Sequence, residues 1–273
     1  MNKKLSFYIP EYLDRTKRYI KWKFTGDSRE SVYFYTFHKC ASSLFSGYVL
    51  GRVEGLRQVD YAYRIYVGKM SGNPVFNERG YIYGPLRLSL RPTSPEYTRL
   101  VKDVTDTEFI KNRIAVFLIR DPRDILVSAY YSFGYTHGLS PVKEIQTMQL
   151  EIREQIQNTT IDQYCLQSAP RINSAFETLN SLSQACDRSI ILKYEDMIND
   201  WETFSAGLTR YLDIREDVLA RIYEQSRPMK KTDTTSHRRD GKPGGFRGQL
   251  QKETIDSLND TFRNVLETRQ YTL

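Results

Sequence analysis

A lysine and two serines lie between a short aromatic strand pattern at residues 31–37 and an apolar helical pattern. The connecting run is His38-Lys39-Cys40-Ala41-Ser42-Ser43, and Leu44 begins the helical pattern. Small residues let the backbone turn tightly, so that its N–H groups, the serine hydroxyls and the helix N-terminus can converge on a phosphate. Lys39 adds a mobile positive charge. The run is not a Walker A loop, because it lacks the glycines and its lysine precedes the small residues. Helix capping by the serines is the simpler alternative for this segment taken alone.

A second anion-friendly segment begins where an apolar run ends. Residues 114–119 read IAVFLI, Arg120 follows directly, and Ser128 lies eight residues later, two turns into the next helical pattern. An arginine at that point can donate two hydrogen bonds to a phosphate that the serine hydroxyl also reaches. The alternative is a helix capped by Asp121, with arginines on the surface.

The third segment is the glycine-rich, basic stretch 238–247 within the polar residues 227–249. A loop of this length is long enough to be functional, and it could cover a bound anion as a mobile lid. Considered alone, the segment fits an ordinary polar loop better.

The elements that must position these segments alternate between short strands and helices. Strands are predicted at 31–37, 61–67, 86–90, 114–119 and 189–192; helices are predicted at 44–56, 125–133, 142–158, 161–186 (broken at Pro170), 201–212, 215–225 and 252–266. This alternation predicts a single α/β domain with three layers, in which helices flank a mostly parallel central sheet. Residues 1–30 are interpreted as an N-terminal extension. Ligands of such sheets bind beyond the carboxyl ends of the strands, where the first two segments lie.

Composition narrows the class of protein. The 273 residues are 40% hydrophobic, which excludes wholesale disorder. The three cysteines and three histidines lack the spacing of a metal site, so we expect no metal. No apolar run reaches the ~18 residues of a membrane span, and no signal peptide is evident, so we expect a cytoplasmic protein without membrane insertion. The net charge of +7 is spread along the chain, which favours local anion sites over nucleic acid.

Together the segments resemble the sulfotransferase family, whose donor is 3′-phosphoadenosine-5′-phosphosulfate (PAPS). Residues 37–44 are similar to its lysine-containing first motif, Arg120 and Ser128 match its second, and the Tyr-Glu-Asp-Met run at 194–197 matches a third. Residues 239–246 match its C-terminal motif less closely. Four motifs in family order make the resemblance specific. Ala41 replaces a glycine, Leu44 a tryptophan that flanks adenine, and Asp240 a phosphate-binding lysine, for which Lys242 could substitute.

The resemblance implies a P-loop-NTPase-like fold and transfer of a sulfuryl group to a hydroxyl or amine, with 3′-phosphoadenosine-5′-phosphate (PAP) as product and no metal. The first loop would hold the 5′-phosphate, Arg120, Ser128 and Arg239 the 3′-phosphate, and Lys39 would neutralise the bridging oxygen. The cofactor-binding residues would be Lys39, Cys40, Ala41, Ser42, Ser43, Leu44, Arg120, Ser128, Tyr194, Arg239, Asp240 and Gly241.

The general base is less evident. Family members often use a histidine or glutamate between the first two motifs, yet no histidine lies between Cys40 and Ile119. His137 and Asp60 are the favoured candidates, and a surface location without a catalytic role is the alternative for each. His38 is expected to point away from the ligand, because neighbouring residues of a strand face opposite sides. Tyr131, Phe133 and Tyr135 either shape the acceptor site or belong to the core.

Two other functions stay open on the sequence. A nucleotide-dependent kinase on a related sheet would need a Mg²⁺-binding serine or threonine after the loop lysine. A non-catalytic nucleic-acid-binding module would bind polyanions with a steep salt dependence and would not need Lys39. The acceptor is expected to be a small molecule, glycan or lipid bound by loops at 68–100 and 134–160. A homodimer is compatible with the sequence.

Overall fold

A five-stranded parallel sheet forms the centre of the fold. The computed structural model describes residues 20, 22–24, 29–70, 72–88, 94–227 and 241–272. Its strands are β1 (Val32–Thr36), β2 (Arg57–Val59), β3 (Tyr81–Arg87), β4 (Ile114–Ile119) and β5 (Arg188–Lys193). They are arranged in the order β2-β3-β1-β4-β5, and each neighbouring pair is parallel. The prediction of an α/β fold with a parallel central sheet is confirmed.

Strand register determines which side chains meet at the carboxyl edge of the sheet. β1 and β4 pair from Val32 opposite Ile114 to Thr36 opposite Leu118, so the residues that follow the two strands emerge side by side. The β1–β3 ladder shifts register once and then places Arg87 opposite Thr36. β1 is buried along its whole length and β4 along nearly all of it, as expected for inner strands covered on both faces.

Helices connect the strands and flank the sheet. The first, α1, covers 42–52 and is α-helical over Ser42–Leu44, π-helical over Phe45–Val49 and 3-10 over Leu50–Arg52. The others are α2 (Tyr61–Tyr66), α3 (Pro95–Val104), α4 (Thr107–Ile110), α5 (Pro122–Tyr131, continued by a π-turn at Ser132–Thr136), α6 (Lys143–Gln157), α7 (Ile161–Ala185), α8 (Tyr194–Asn199), α9 (Trp201–Thr209), α10 (Glu216–Ser226), α11 (Lys252–Thr261) and α12 (Arg263–Thr268).

The strand predicted at 61–67 is wrong, because this segment is helix α2. Asp60 caps the helix by accepting a hydrogen bond from Tyr63 N at 2.9 Å. Tyr61, Ala62 and Ile65 are its buried residues, at a helical spacing that the weak alternation of the sequence conceals. The strand in this part of the chain is β2, which precedes the predicted range. The strand predicted at 86–90 corresponds to β3, which begins and ends earlier in the chain than predicted.

Pro170 does not break helix α7, contrary to the sequence prediction. The helix runs from Ile161 to Ala185 with Pro170 inside it. Pro170 and Leu166, whose carbonyl loses its partner, are both exposed, so water can satisfy that carbonyl. The buried stripe of α7 continues past the proline through Ile172 and Phe176.

A single contiguous core cluster includes residues from β1 through to α12. The predicted extension at 1–30 and the covering loop at 227–249 lie largely outside the described residues. Within the described part of the chain, no helix combines the length and apolar character needed to cross a bilayer.

Candidate active site

The loop between β1 and α1 turns through two left-handed residues. Lys39 has φ 69° and Ala41 has φ 52°, and Phe45 N donates to Ala41 O at 3.1 Å as the helix begins. Left-handed backbone strains any residue with a Cβ, which is why glycine is common at such positions. Ala41 therefore holds a backbone conformation that favours glycine, at an energetic cost. Ser42 is buried at the start of the helix.

Arg120 joins this loop to the end of β4. Its Nη1 donates to Lys39 O at 3.1 Å, its Nη2 lies 3.5 Å from Asp124 Oδ2, and its guanidinium stacks 4.4 Å above the Tyr194 ring. Arg120 Nε is buried, and no described residue accepts a hydrogen bond from it. A buried cationic donor without an acceptor is suited to bind an anion.

Arg123, one turn further on, is fully engaged in the fold. It forms a bidentate pair with Asp121, with Nε–Oδ1 at 3.0 Å and Nη2–Oδ2 at 2.7 Å. It also donates at 2.6 Å to Asn259 Oδ1 and to Thr272 O, and its guanidinium stacks 4.2 Å above Phe246. Asp121 caps α5, as the alternative interpretation supposed, but Arg123 is completely buried rather than on the surface.

The described end of the glycine-rich segment is attached to the same cluster. Asp124 accepts hydrogen bonds from Gly244 N at 2.7 Å and Phe246 N at 3.0 Å. Tyr194 OH donates to Gly241 O at 2.6 Å. Arg120 therefore lies among contacts that connect it with all three anion-friendly segments.

The remaining residues of the expected donor site differ in their surroundings. Ser128 is half-buried on α5, and Leu44 is half-buried against the core. Burial raises the pKa of the Cys40 thiol, so this cysteine stays protonated and is not a nucleophile. Arg239 and Asp240 lie outside the described residues.

The described residues contain no group of three or more histidine, cysteine, aspartate or glutamate side chains that could hold a metal ion.

Glu195 supports the backbone behind Arg120. Its Oε1 accepts from Asp121 N at 2.9 Å, and its Oε2 accepts from Tyr271 OH at 3.2 Å. Burial raises the pKa of Glu195 to about 7, against the lowering effect of its hydrogen bond from Asp121 N. Its carboxyl group is therefore easier to protonate in the folded protein than in the unfolded chain.

Glu195→Gln is expected to stabilise the protein at alkaline pH. Because the folded pKa is raised, the stability that protonation of Glu195 provides is complete below the unfolded pKa of ~4.3 and lost as the pH rises through about 7. The variant should exceed the wild type by up to about 3 kcal/mol in free energy of unfolding at alkaline pH, and by about 1 kcal/mol near pH ~5. Urea unfolding at both pH values measures this difference.

Glu224→Gln, on the exposed side of α10, is the matched control and should show no such pH-dependent gain. A Glu195→Gln variant that is less stable than the wild type at alkaline pH would contradict the protonation argument.

A cavity of about 720 Å³ has the two loop serines, Ser42 and Ser43, in its wall. Helices α2, α6 and α7 provide most of the other walls, with apolar side chains such as Ile65 and Ile152. Arg87, Tyr97 and residues of 134–160 also line it. They lie within the segments predicted to form acceptor-binding loops, but most of them belong to β3, α3 and α6. Its volume lies within the range of small-molecule sites.

Both His38 and His137 line this cavity. The expectation that His38 points away is wrong, because β1 ends at Thr36 and the alternation of a strand no longer applies two residues later. Burial lowers the pKa of His38 well below its usual value, and the charges of Arg87, His137, Lys39 and Arg171 lower it further. His38 is therefore neutral at physiological pH.

Asp60 does not line the cavity and is occupied by structural contacts. Besides capping α2, it accepts from Ser46 Oγ at 2.7 Å and lies 3.8 Å from Arg87 Nη1. These contacts give no support to its role as general base.

The three aromatic residues after α5 differ in role. Phe133 lines the cavity, whereas Tyr131 OH donates to Gln249 Oε1 at 2.8 Å and Tyr135 is half exposed.

Sequence reasoning missed three arginines in the cavity wall: Arg87, Arg153 and Arg171. Arg87 is the last residue of β3, in a position similar to that of Arg120 directly after β4. The sequence did not reveal this similarity, because β3 was predicted at 86–90, later in the chain than it lies. Arg153 and Arg171 lie on α6 and α7, where nothing in a helical pattern marks them as ligand-facing.

Comparisons with known proteins identify the family of the chain. No curated protein matches the chain significantly. Among solved structures, the chain is similar to retinol dehydratase in a complex with retinol and PAP, with 15% identity over 87% of this chain and 82% of that chain. The TM-score of 0.45 is too low to carry an argument. The model of the sulfotransferase domain family matches residues 37–269, which include the β1 loop, Arg120, Tyr194 and the described glycine-rich turn. The chain therefore belongs to the sulfotransferase domain family.

Proposed function

We propose that this sulfotransferase takes PAPS as its donor and transfers the sulfuryl group to a hydroxyl of an acceptor bound in the 720 Å³ cavity. One observation carries the proposal. Ser42 and Ser43 begin helix α1, directly after the loop that contains Lys39, and they also line the cavity. The donor loop and the acceptor space thus share a wall, as direct transfer between two bound molecules requires.

The residues around Arg120 fit the donor. Arg120 Nε offers a buried donor to the 3′-phosphate, and Ser128 lies on the helix that follows. The hydroxyls of Ser42 and Ser43, with the amides of their loop, would bind the 5′-phosphate. Tyr194 and Gly241 would hold the end of the covering segment against Arg120, and Arg239 would add a further charge from within it.

The reaction is a displacement at sulfur. The acceptor oxygen forms a bond to sulfur while the bond from sulfur to the bridging phosphate oxygen breaks, and the leaving oxygen gains negative charge. The Lys39 ammonium would stabilise that charge as it develops, and positioning provides most of the remaining rate enhancement. The proton of the acceptor hydroxyl passes to a base in the cavity wall.

His137 is proposed as that base. It lines the cavity, follows the π-turn at Ser132–Thr136 and has its backbone fixed by a hydrogen bond from His137 N to Ser132 O at 2.7 Å. His38 lines the same space, but burial, and after it the basic groups around the ring, lower its pKa and weaken it as a base. The Asp60 carboxylate is engaged in the structural contacts described above.

His137→Gln is expected to lower the turnover number by about 10²- to 10⁴-fold and to abolish the acidic limb of the pH–rate profile. Steady-state rates across the pH range measure both effects. Asp60→Asn tests the rival base: asparagine caps a helix as well as aspartate does, so the variant should fold and keep the turnover and the acidic limb of the wild type. Loss of the acidic limb in Asp60→Asn, with an active His137→Gln, would reverse the assignment.

Calorimetric titration with PAP tests the proposed donor. We expect one-to-one binding without Mg²⁺, and weaker binding of ATP and of a short oligonucleotide. A preference for Mg·ATP would favour the kinase alternative. A preference for the oligonucleotide with a steep salt dependence would favour the nucleic-acid-binding module.

A further inference from the structure

Among the described residues, the charged side chains that line the cavity are all basic. Its charged and titratable side chains include Arg87, Arg153, Arg171, His38 and His137, and no aspartate or glutamate is among the described residues that line it. A low-dielectric space lined by one sign of charge concentrates molecules of the opposite sign.

No carboxylate of the described cavity wall neutralises Arg87 or Arg153. Arg153 donates to two backbone carbonyls, Phe133 O at 3.5 Å and His137 O at 2.5 Å, and pairs with no carboxylate of the described chain. Arg87 lies 3.8 Å from Asp60, which is itself outside the cavity wall.

The electrostatics at His38 agree with this picture. After burial, the groups that lower the pKa of His38 are Arg87, His137, Lys39 and Arg171, all of them basic. The electrostatic potential at this point of the cavity is therefore positive. His38 and His137 are the two histidines there, and each could accept a proton.

The rest of the described wall combines apolar side chains with uncharged polar ones. Ile65 from α2 and Ile145, Ile152 and Ile156 from α6 line the same cavity. An acceptor that fills it must bury apolar surface and also meet the arginines. A highly charged polymer would leave the isoleucines uncovered, and a neutral lipid would leave the arginines without a partner.

We propose that the acceptor is a small amphiphilic anion, with an apolar or aromatic body that bears the reacting hydroxyl and a carboxylate-like oxyanion bound by Arg153 and Arg171. The assignment of the hydroxyl rests on the proposed function, whereas the preference of the cavity for anions does not. Two arginines from different helices can hold an oxyanion from two sides while the body lies against α6.

Matched acid and amide pairs test the charge preference without knowledge of the natural acceptor. Hydroxynaphthoate with hydroxynaphthamide, and hydroxyphenylpropionate with its primary amide, have nearly the same shape and differ in charge. In calorimetric titrations of the PAP-loaded protein, we expect each acid to bind at least about tenfold more tightly than its amide. Arg153→Met and Arg171→Met should each reduce this ratio to below about threefold.

Arg263→Met is the matched control. It removes an exposed arginine of α12 that bonds Asp260, and the acid-to-amide ratio should stay at its wild-type value. The proposal is overturned if the wild type binds acids and amides equally, prefers amides or binds neither, or if both cavity variants keep the full ratio.

The same titrations, repeated in saturating sulfate, test whether the arginines bind the oxyanion of the acceptor or the sulfuryl group of the donor. A ratio that persists in sulfate supports the proposal, whereas one that disappears assigns the arginines to the sulfuryl group and overturns it. PAP binding is measured on the same samples. If PAP binds and no acid preference is seen, the acceptor proposal fails alone; if acids are preferred and PAP does not bind, the proposed function fails alone.

Discussion

Lys39→Met is expected to lower the turnover number by at least about 10²-fold, while the affinity for PAP changes by less than about tenfold. Negative charge accumulates on the bridging oxygen only as the bond to sulfur breaks, so the ammonium stabilises the transition state more than the bound donor. Methionine keeps the length of the side chain and the same left-handed backbone at position 39, so the variant should fold. PAP release during steady-state turnover measures the effect.

Lys193→Met provides the matched control. Lys193 is the last residue of β5, and Lys39 lies at a similar place after β1. The Nζ of Lys193 lies 5.3 Å from the centre of the Tyr271 ring, and the residue is not part of the donor loop. Turnover in this variant should remain within about threefold of the wild type. Near-normal turnover in Lys39→Met would remove the lysine from the mechanism, and an equal loss in both variants would indicate a general effect of lost charge.

The parts of the fold that the sequence predicted well are those that follow from local composition. The apolar run of β4 and the aromatic run of β1 are buried strands wherever they occur in an α/β protein. Two adjacent parallel strands then bring their following residues together, so the proximity of the Lys39 loop and Arg120 follows from strand order.

The parts that could not be predicted depend on packing between distant segments. Arg171 lies on a helix more than a hundred residues after Lys39, and its place in the cavity depends on how α7 packs beside the sheet. Helix α2 was misread because its six residues are too few to show a helical period. His38 lines the cavity because β1 ends at Thr36, one residue before the predicted end of the strand, so the alternation of a strand does not extend to it.

The two neighbouring arginines of the β4 motif illustrate a further limit. Arg120 and Arg123 are both buried, whereas the alternative interpretation of this segment placed its arginines on the surface. Only the contacts distinguish them: every nitrogen of Arg123 donates to a described residue, whereas Arg120 Nε does not. Their roles in ligand binding and in folding can therefore be separated by the same substitution at each.

Arg120→Lys is expected to weaken PAP binding by about 30-fold or more, with little loss of stability. Lysine keeps the charge near Asp124 but loses the guanidinium fork and the Nε donor that a phosphate would use. Calorimetric titration with PAP gives the affinity, and urea unfolding gives the free energy of unfolding.

Arg123→Lys should show the opposite pattern. One ammonium cannot replace donors to Asp121, Asn259 and Thr272, and buried groups left without partners cost about 1–3 kcal/mol each. We expect a loss of about 3–5 kcal/mol in stability and an unchanged PAP affinity of the folded fraction. If Arg123→Lys abolishes PAP binding while it stays folded and Arg120→Lys binds normally, the phosphate ligand is Arg123, and the unpartnered Nε of Arg120 has no part in donor recognition.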